Sequence, residues 1–145
     1  MNAEQIQQLL PHRGDMLLVE RVVEWEKDTR IVAELNVTDE AFWVEGHFPG
    51  RPLMPGVLIA EAIAQAAALL LLMGSPGGAG GSMYLVGLDR YRVRRPVVPG
   101  ETLRLDVQLV RKRKRFCSFD GTAMVGDELV AEGHWLAAME QEEER

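Results

Sequence analysis

VLIAEAIAQAAALLLLM, residues 57–73, is a run of strong helix formers whose apolar character only Glu61 and Gln65 interrupt. A helix apolar around almost its whole circumference has no face suited to water and must be enclosed. The chain before it, residues 38–55, sets Phe42, Trp43 and Phe48 among the prolines and glycines of the GHFPGRPLMPG stretch and reads as a rigid, partly buried loop. The chain after it, GSPGGAGG (residues 74–81), reads as a flexible loop that ends the helix.

The enclosure must come from what remains. Residues 3–10 carry Ile6, Leu9 and Leu10 on one side of a short helix stopped by Pro11. Residues 16–25 and 30–37 are rich in β-branched residues and read as a hairpin turning at residues 26–29. Four further strands are expected at residues 83–93, 101–115, 116–125 and 128–139, with turn signals at Pro99-Gly100, Asp120-Gly121 and Gly126-Asp127. Residues 111–116 carry no turn residue, so the division there is open. The expectation is an α+β fold, a strongly curved antiparallel sheet wrapped round one central helix. With 145 residues it forms one domain, ending in a charged tail at residues 140–145.

A hydrophobic content of 47%, a charged content of 26% and a mean hydropathy of -0.07 exclude a disordered or fibrous chain. The longest apolar run, residues 66–73, falls far short of the ~20 residues that span a bilayer. The start, MNAEQIQQLLPHR, lacks a basic leader followed by an apolar stretch, and the one cysteine, Cys117, has no partner for an internal disulfide. A cytoplasmic protein is expected. The net charge of -6 hides an asymmetry: residues 90–115 hold ten Lys/Arg and two acids, a net of +8, against -14 elsewhere. Such a stripe steers an anionic partner or is a solvated strand face, and composition alone leaves both open.

Glu61 is the sharpest anomaly, because a carboxylate in the second turn of a nearly all-apolar helix must find partners or stay protonated. Desolvation would suit it to donate a proton near neutral pH. Gln65 shares its face at i+4, where its amide can hold the carboxyl. A structural buried acid is the competing reading. His47 sits among glycines and a proline, and a histidine beside a carboxyl in an apolar setting can divide base and acid roles with it. Between them the helix opens at Met54-Pro55-Gly56-Val57 with no capping side chain. The N–H groups of Gly56 and Val57 therefore face outward at the positive end of the helix dipole, as an oxyanion site requires. His12 reads as an interface or capping group and His134 as an outward strand residue. Ser118 and Cys117 lack a nucleophile-elbow sequence, and three scattered histidines form no metal spacing. No nucleotide-binding motif occurs, and the basic run lacks the interleaved aromatics of a nucleic-acid binder.

Leu10-Pro11-His12-Arg13, Leu17-Leu18-Val19, the unbroken GHFPGRPLMPGVLIAEAIAQ of residues 46–65 and Arg94-Arg95-Pro96-Val97-Val98-Pro99-Gly100 resemble the (3R)-hydroxyacyl-acyl carrier protein dehydratases of the FabZ type. The likeness runs along nearly the whole chain; Gly14-Asp15-Met16 and the glycine-rich 74–81 loop depart from it. The resemblance implies a hotdog fold, no metal or cofactor, and dehydration of 3-hydroxyacyl chains on acyl carrier protein in type II fatty-acid synthesis. It implies His47 as catalytic histidine and Glu61 as catalytic acid, with Glu rather than Asp favouring dehydration without isomerisation. It also implies sites shared between two subunits, in a homodimer and commonly a trimer of dimers. Gly56, Val57, Gln65 and Phe48 would then bind substrate or its oxyanion. Arg90, Arg92, Arg94, Arg95, Arg113 and Arg115 would dock the acidic carrier. A hotdog thioesterase and a non-catalytic carrier-binding protein remain the alternatives.

Overall fold

In a computed structural model the described residues are 1–47, 50–74 and 83–139. The expectations for Phe48, for the 74–81 loop beyond Gly74 and for the tail at 140–145 lie outside them. Helix α1 (Ala3–Leu9) starts with a reciprocal cap between Asn2 and Gln5 and ends just before Pro11. A 3-10 turn follows (Gly14–Met16), then strands β1 (Arg21–Glu26) and β2 (Arg30–Asn36), helix α2 (Gly56–Leu72), and strands β3 (Met83–Val93), β4 (Thr102–Arg113), β5 (Phe116–Val125) and β6 (Glu128–Met139). The strands form one sheet in the order β1-β2-β4-β5-β6-β3, every neighbouring pair antiparallel.

Helix α2 packs against β4, β2, β5 and β3 and is buried from Ile59 onward except at Glu61. Alternation along β4 turns Leu103, Leu105 and Val107 toward it and Arg104 and Gln108 away. Bulges in β1, β3, β4 and β6 add local twist, which curves the sheet about the helix. Two indoles fasten the layers: Trp135 Nε1 donates to the Ala60 carbonyl at 3.2 Å and Trp25 Nε1 to the Leu70 carbonyl at 3.1 Å. The α+β wrap expected from burial is the architecture observed. Among the described residues no helix is long and apolar enough to cross a membrane.

Three local expectations change. The first strand begins at Arg21 rather than Met16, because the N–H groups of Leu18 and Val19 bond the Gln65 side chain instead of a neighbouring strand. Asp120-Gly121 is no turn but the middle of β5. A Cβ at Gly121 would lie 2.6 Å from Ile63 Cγ2 and 2.9 Å from Trp135 Cζ3, so the glycine permits strand and helix to approach. The chain reverses between β4 and β5 at Lys114-Arg115, where Lys114 adopts φ 56° without a glycine.

Candidate active site

Glu61 lies where α2 leaves its exposed first turn for the core, its side chain 29% exposed. Its Oε1 is 3.3 Å from His12 Nε2 and accepts from Gln65 Nε2, also at 3.3 Å. Gln65 is 1% exposed and fully partnered. Its Nε2 also donates to the Met16 carbonyl at 2.6 Å, and its Oε1 accepts from the N–H groups of Leu18 at 2.9 Å and Val19 at 3.4 Å. Gln65 thereby ties residues 16–19 to α2 and steadies the carboxyl one turn earlier, as its i+4 spacing predicts.

His47 is held by a reciprocal pair of bonds. Its carbonyl accepts from the Leu53 N–H at 2.7 Å, and its Nδ1 meets the Leu53 carbonyl at 2.9 Å. A carbonyl only accepts, so Nδ1 carries the hydrogen and the neutral ring keeps its lone pair on Nε2. Gly50, at φ 77°, lets the chain turn between those residues. Beside this turn Leu17, Leu18, Leu35, Val37, Trp43 and Met54 line part of a cleft of about 220 Å³.

Pro55 starts α2 without a side-chain cap, and among the described residues the N–H groups of Gly56 and Val57 have no acceptor. Val57 is 77% exposed. The Gly56 carbonyl accepts from the Tyr91 hydroxyl at 2.6 Å. Tyr91 reaches it from a bulge in β3, where Arg90 and Tyr91 fall between the pairs Asp89–His134 and Arg92–Glu132 and Arg90 takes φ 53°. Burial pushes the Tyr91 phenol up to about 12, so it stays a neutral donor.

The six arginines expected at the carrier surface divide. Arg95 grips both carboxylate oxygens of Glu101, lies 3.1 Å from Glu128 and donates to the Pro96 carbonyl. Its guanidinium holds the Glu101 carboxyl below the usual carboxylate range. Arg94 pairs with Glu132 at 2.6 Å, and Arg90 lies 3.5 Å from Asp89. Arg95 thus clamps Glu101 within the chain. Arg92, Arg113 and Arg115 have no acidic partner among the described residues, and Arg115 lies over the Phe116 ring at 5.2 Å.

Two further groups beside the site are only weakly marked by the local sequence. His12, read as an interface or capping group, is the partner of Glu61, a pairing no spacing foretells because the two are far apart in sequence. Tyr91 carried one available signal, an aromatic between Arg90 and Arg92 in an otherwise polar stretch.

A FabA-like domain model matches residues 10–134. The 3-hydroxyacyl-acyl-carrier-protein dehydratase FabZ of Acidovorax sp. is 48% identical over 141 residues, covering 96% of this chain and 97% of its own. The protein of the same name from Moorella thermoacetica is 46% identical over 139 residues, covering 96% of each chain. Among solved structures, a chain of the dehydratase heterocomplex ApeI:P of Xenorhabdus doucetiae superposes with a TM-score of 0.76 at 20% identity, over 94% of this chain and 91% of that one.

Proposed function

The chain belongs to the FabA-like family and, within it, to the FabZ-type 3-hydroxyacyl-acyl-carrier-protein dehydratases with the hotdog fold, and from that membership we propose that His47 and Glu61 carry its acid–base chemistry. The reaction removes water from a 3-hydroxyacyl thioester held on acyl carrier protein and leaves a 2-enoyl thioester, a step of fatty-acid synthesis. His47 takes the proton from C2 through Nε2. Charge gathering on the thioester oxygen meets the Gly56 and Val57 N–H groups at the positive end of α2. Glu61 gives a proton to the C3 hydroxyl, the C3–O bond breaks, and water departs. The histidine ends protonated and the glutamate ionised, and exchange with solvent resets both.

One observation carries the assignment: the Nδ1 bond to the Leu53 carbonyl, which puts the basic lone pair of His47 on Nε2. The functional unit is a cytoplasmic homodimer, built into a trimer of dimers, with each site taking His47 from one subunit and Glu61 from the other. What supports pairing is β3, an edge strand of eleven residues on which Leu85, Val86, Leu88 and Val93 are exposed. An apolar sheet edge of that length invites a partner.

His47→Ala and Glu61→Gln should each slow hydration of a crotonyl thioester by about 10²–10⁴-fold while melting as the parent does. Near-parental turnover by either folded variant would overturn the assignment. Mass analysis of the parent's products must give enoyl thioester rather than free acid.

A further inference from the structure

We propose that His12 is a positioning residue for this reaction: its Nε2–H holds Oε1 of Glu61, so that Oε2 is the oxygen that passes a proton to the departing hydroxyl. The inference rests on Glu61 being the acid. His12 is fixed from its own side, between the buried Leu10 and an Arg13 whose guanidinium donates to the carbonyls of Gln7, Leu10 and His12, each at 2.7 Å. Its ring reaches Glu61 Oε1 at 3.3 Å.

Two hydrogen placements suit that contact. In the first, Nε2–H donates to the carboxyl oxygen and Nδ1 keeps a lone pair. In the second, the Glu61 hydroxyl at Oε1 donates to Nε2, and the neutral ring must carry its hydrogen on Nδ1. His12 Nδ1 is buried with no hydrogen-bond partner among the described residues. A buried N–H without an acceptor is rarer and costlier than an idle lone pair. The first placement therefore holds.

On that placement Oε1 faces two N–H groups, that of Gln65, which donates to it, and that of His12, whose Nε2 lies 3.3 Å away, while Oε2 has no partner among the described residues. A proton on the carboxyl consequently sits on Oε2. When it moves to the C3 hydroxyl oxygen and the C3–O bond breaks, the negative charge left behind spreads to Oε1, where two donors already wait. These contacts strengthen as the transition state forms, which is the condition for raising kcat rather than lowering KM.

The test compares His12→Phe, which keeps a ring and removes the donor, with His12→Gln, which returns an N–H near the position of Nε2. Hydration of a crotonyl thioester is followed in the parent and Glu61→Gln backgrounds. We expect His12→Phe to lower kcat by about 10–100-fold with KM and melting unchanged, as for a misplaced reacting group. His12→Gln should recover most of the rate, and neither change should slow Glu61→Gln further. If His12→Phe does not fold, His12→Asn, whose amide is too short to reach Oε1, takes its place against His12→Gln. Parental kcat in His12→Phe, failure of a folded His12→Gln to recover, or an undiminished effect in the Glu61→Gln background would each overturn the proposal. Full activity of Glu61→Gln itself would remove the acid assignment beneath it, whereas an inactive Glu61→Gln beside an active His12→Phe removes only the role of His12.

Discussion

Tyr91 fixes the start of α2 by one bond, from its hydroxyl to the Gly56 carbonyl, and stacks edge-on against Trp135 with ring centroids 5.6 Å apart. Removing the hydroxyl in Tyr91→Phe leaves the ring in place and deletes the bond, for an expected loss of about 0.5–1.5 kcal/mol at neutral pH. The same substitution has a readable pH signature. The folded phenol titrates near about 12, above its unfolded value, so its contribution is present below about pH 10 and fades as pH rises through the folded value. The melting temperature of the parent should therefore fall more steeply than that of Tyr91→Phe between about pH 10 and 12. Parallel curves would mean that Tyr91 ionises as freely in the folded chain as in the unfolded one.

Between β3 and β4 the clamp of Arg95 on Glu101 ties down the connection, and the Val98 N–H adds a bond to the same carboxylate at 3.0 Å. A carboxyl held below its ordinary range in the folded state stabilises above its unfolded value, and the gain disappears as pH falls through the folded one. Glu101→Gln should melt below the parent at pH 7, with the gap closing under about pH 4. A gap independent of pH would point to shape rather than charge. The β4–β5 hairpin offers the complementary case, Arg113 and Arg115 without an acidic partner among the described residues. Reversing the charge of Arg113 and Arg115 should raise KM for carrier-linked substrate and spare a small pantetheine thioester, because long-range steering acts only on the acidic carrier. Added salt should erode the parent's advantage in the same way. The equivalent change at Arg94 and Arg95 should cost stability and affect both substrates, since those side chains already answer Glu132, Glu101 and Glu128. A carrier-specific KM effect at Arg94 and Arg95 alone would reverse this division.

At the scale of the whole molecule, the composite site has a direct test. Mixing inactive His47→Ala with inactive Glu61→Gln and allowing subunits to exchange gives mixed dimers in which one site keeps both groups. Equal mixing should recover about one quarter of the parental rate, because half of randomly paired twofold dimers are mixed and each holds one intact site. Zero recovery with exchange demonstrated by mass would place both groups of each site in a single chain. Introducing a charge on the β3 edge, as in Val86→Glu, should, on the same reading, lower the dimer fraction and the activity together, because like charges would face each other across a twofold edge contact.

The sequence by itself determined the enclosed helix, since nothing between Ile59 and Leu72 except Glu61 and Gln65 suits water, and with it the need for a curved sheet. It also determined the family, through an unbroken block at residues 46–65, and singled out His47 and Glu61 as unusual groups in that block. Local chemistry sufficed there because each signal lies within a few residues of the next. Only the tertiary structure decided which groups those two meet. The pairing of His12 with Glu61, the turn of Gln65 toward residues 16–19 and the reach of Tyr91 to Gly56 each join segments far apart in sequence. The glycine at position 121 serves a close approach between β5 and α2 rather than a turn, for the same reason. The arginines divided on where their acids lay: Glu128 and Glu132 come to Arg95 and Arg94 from β6 through the β3–β6 register, which period-two patterning states for each strand and not between strands, while Glu101 meets Arg95 within the β3–β4 connection.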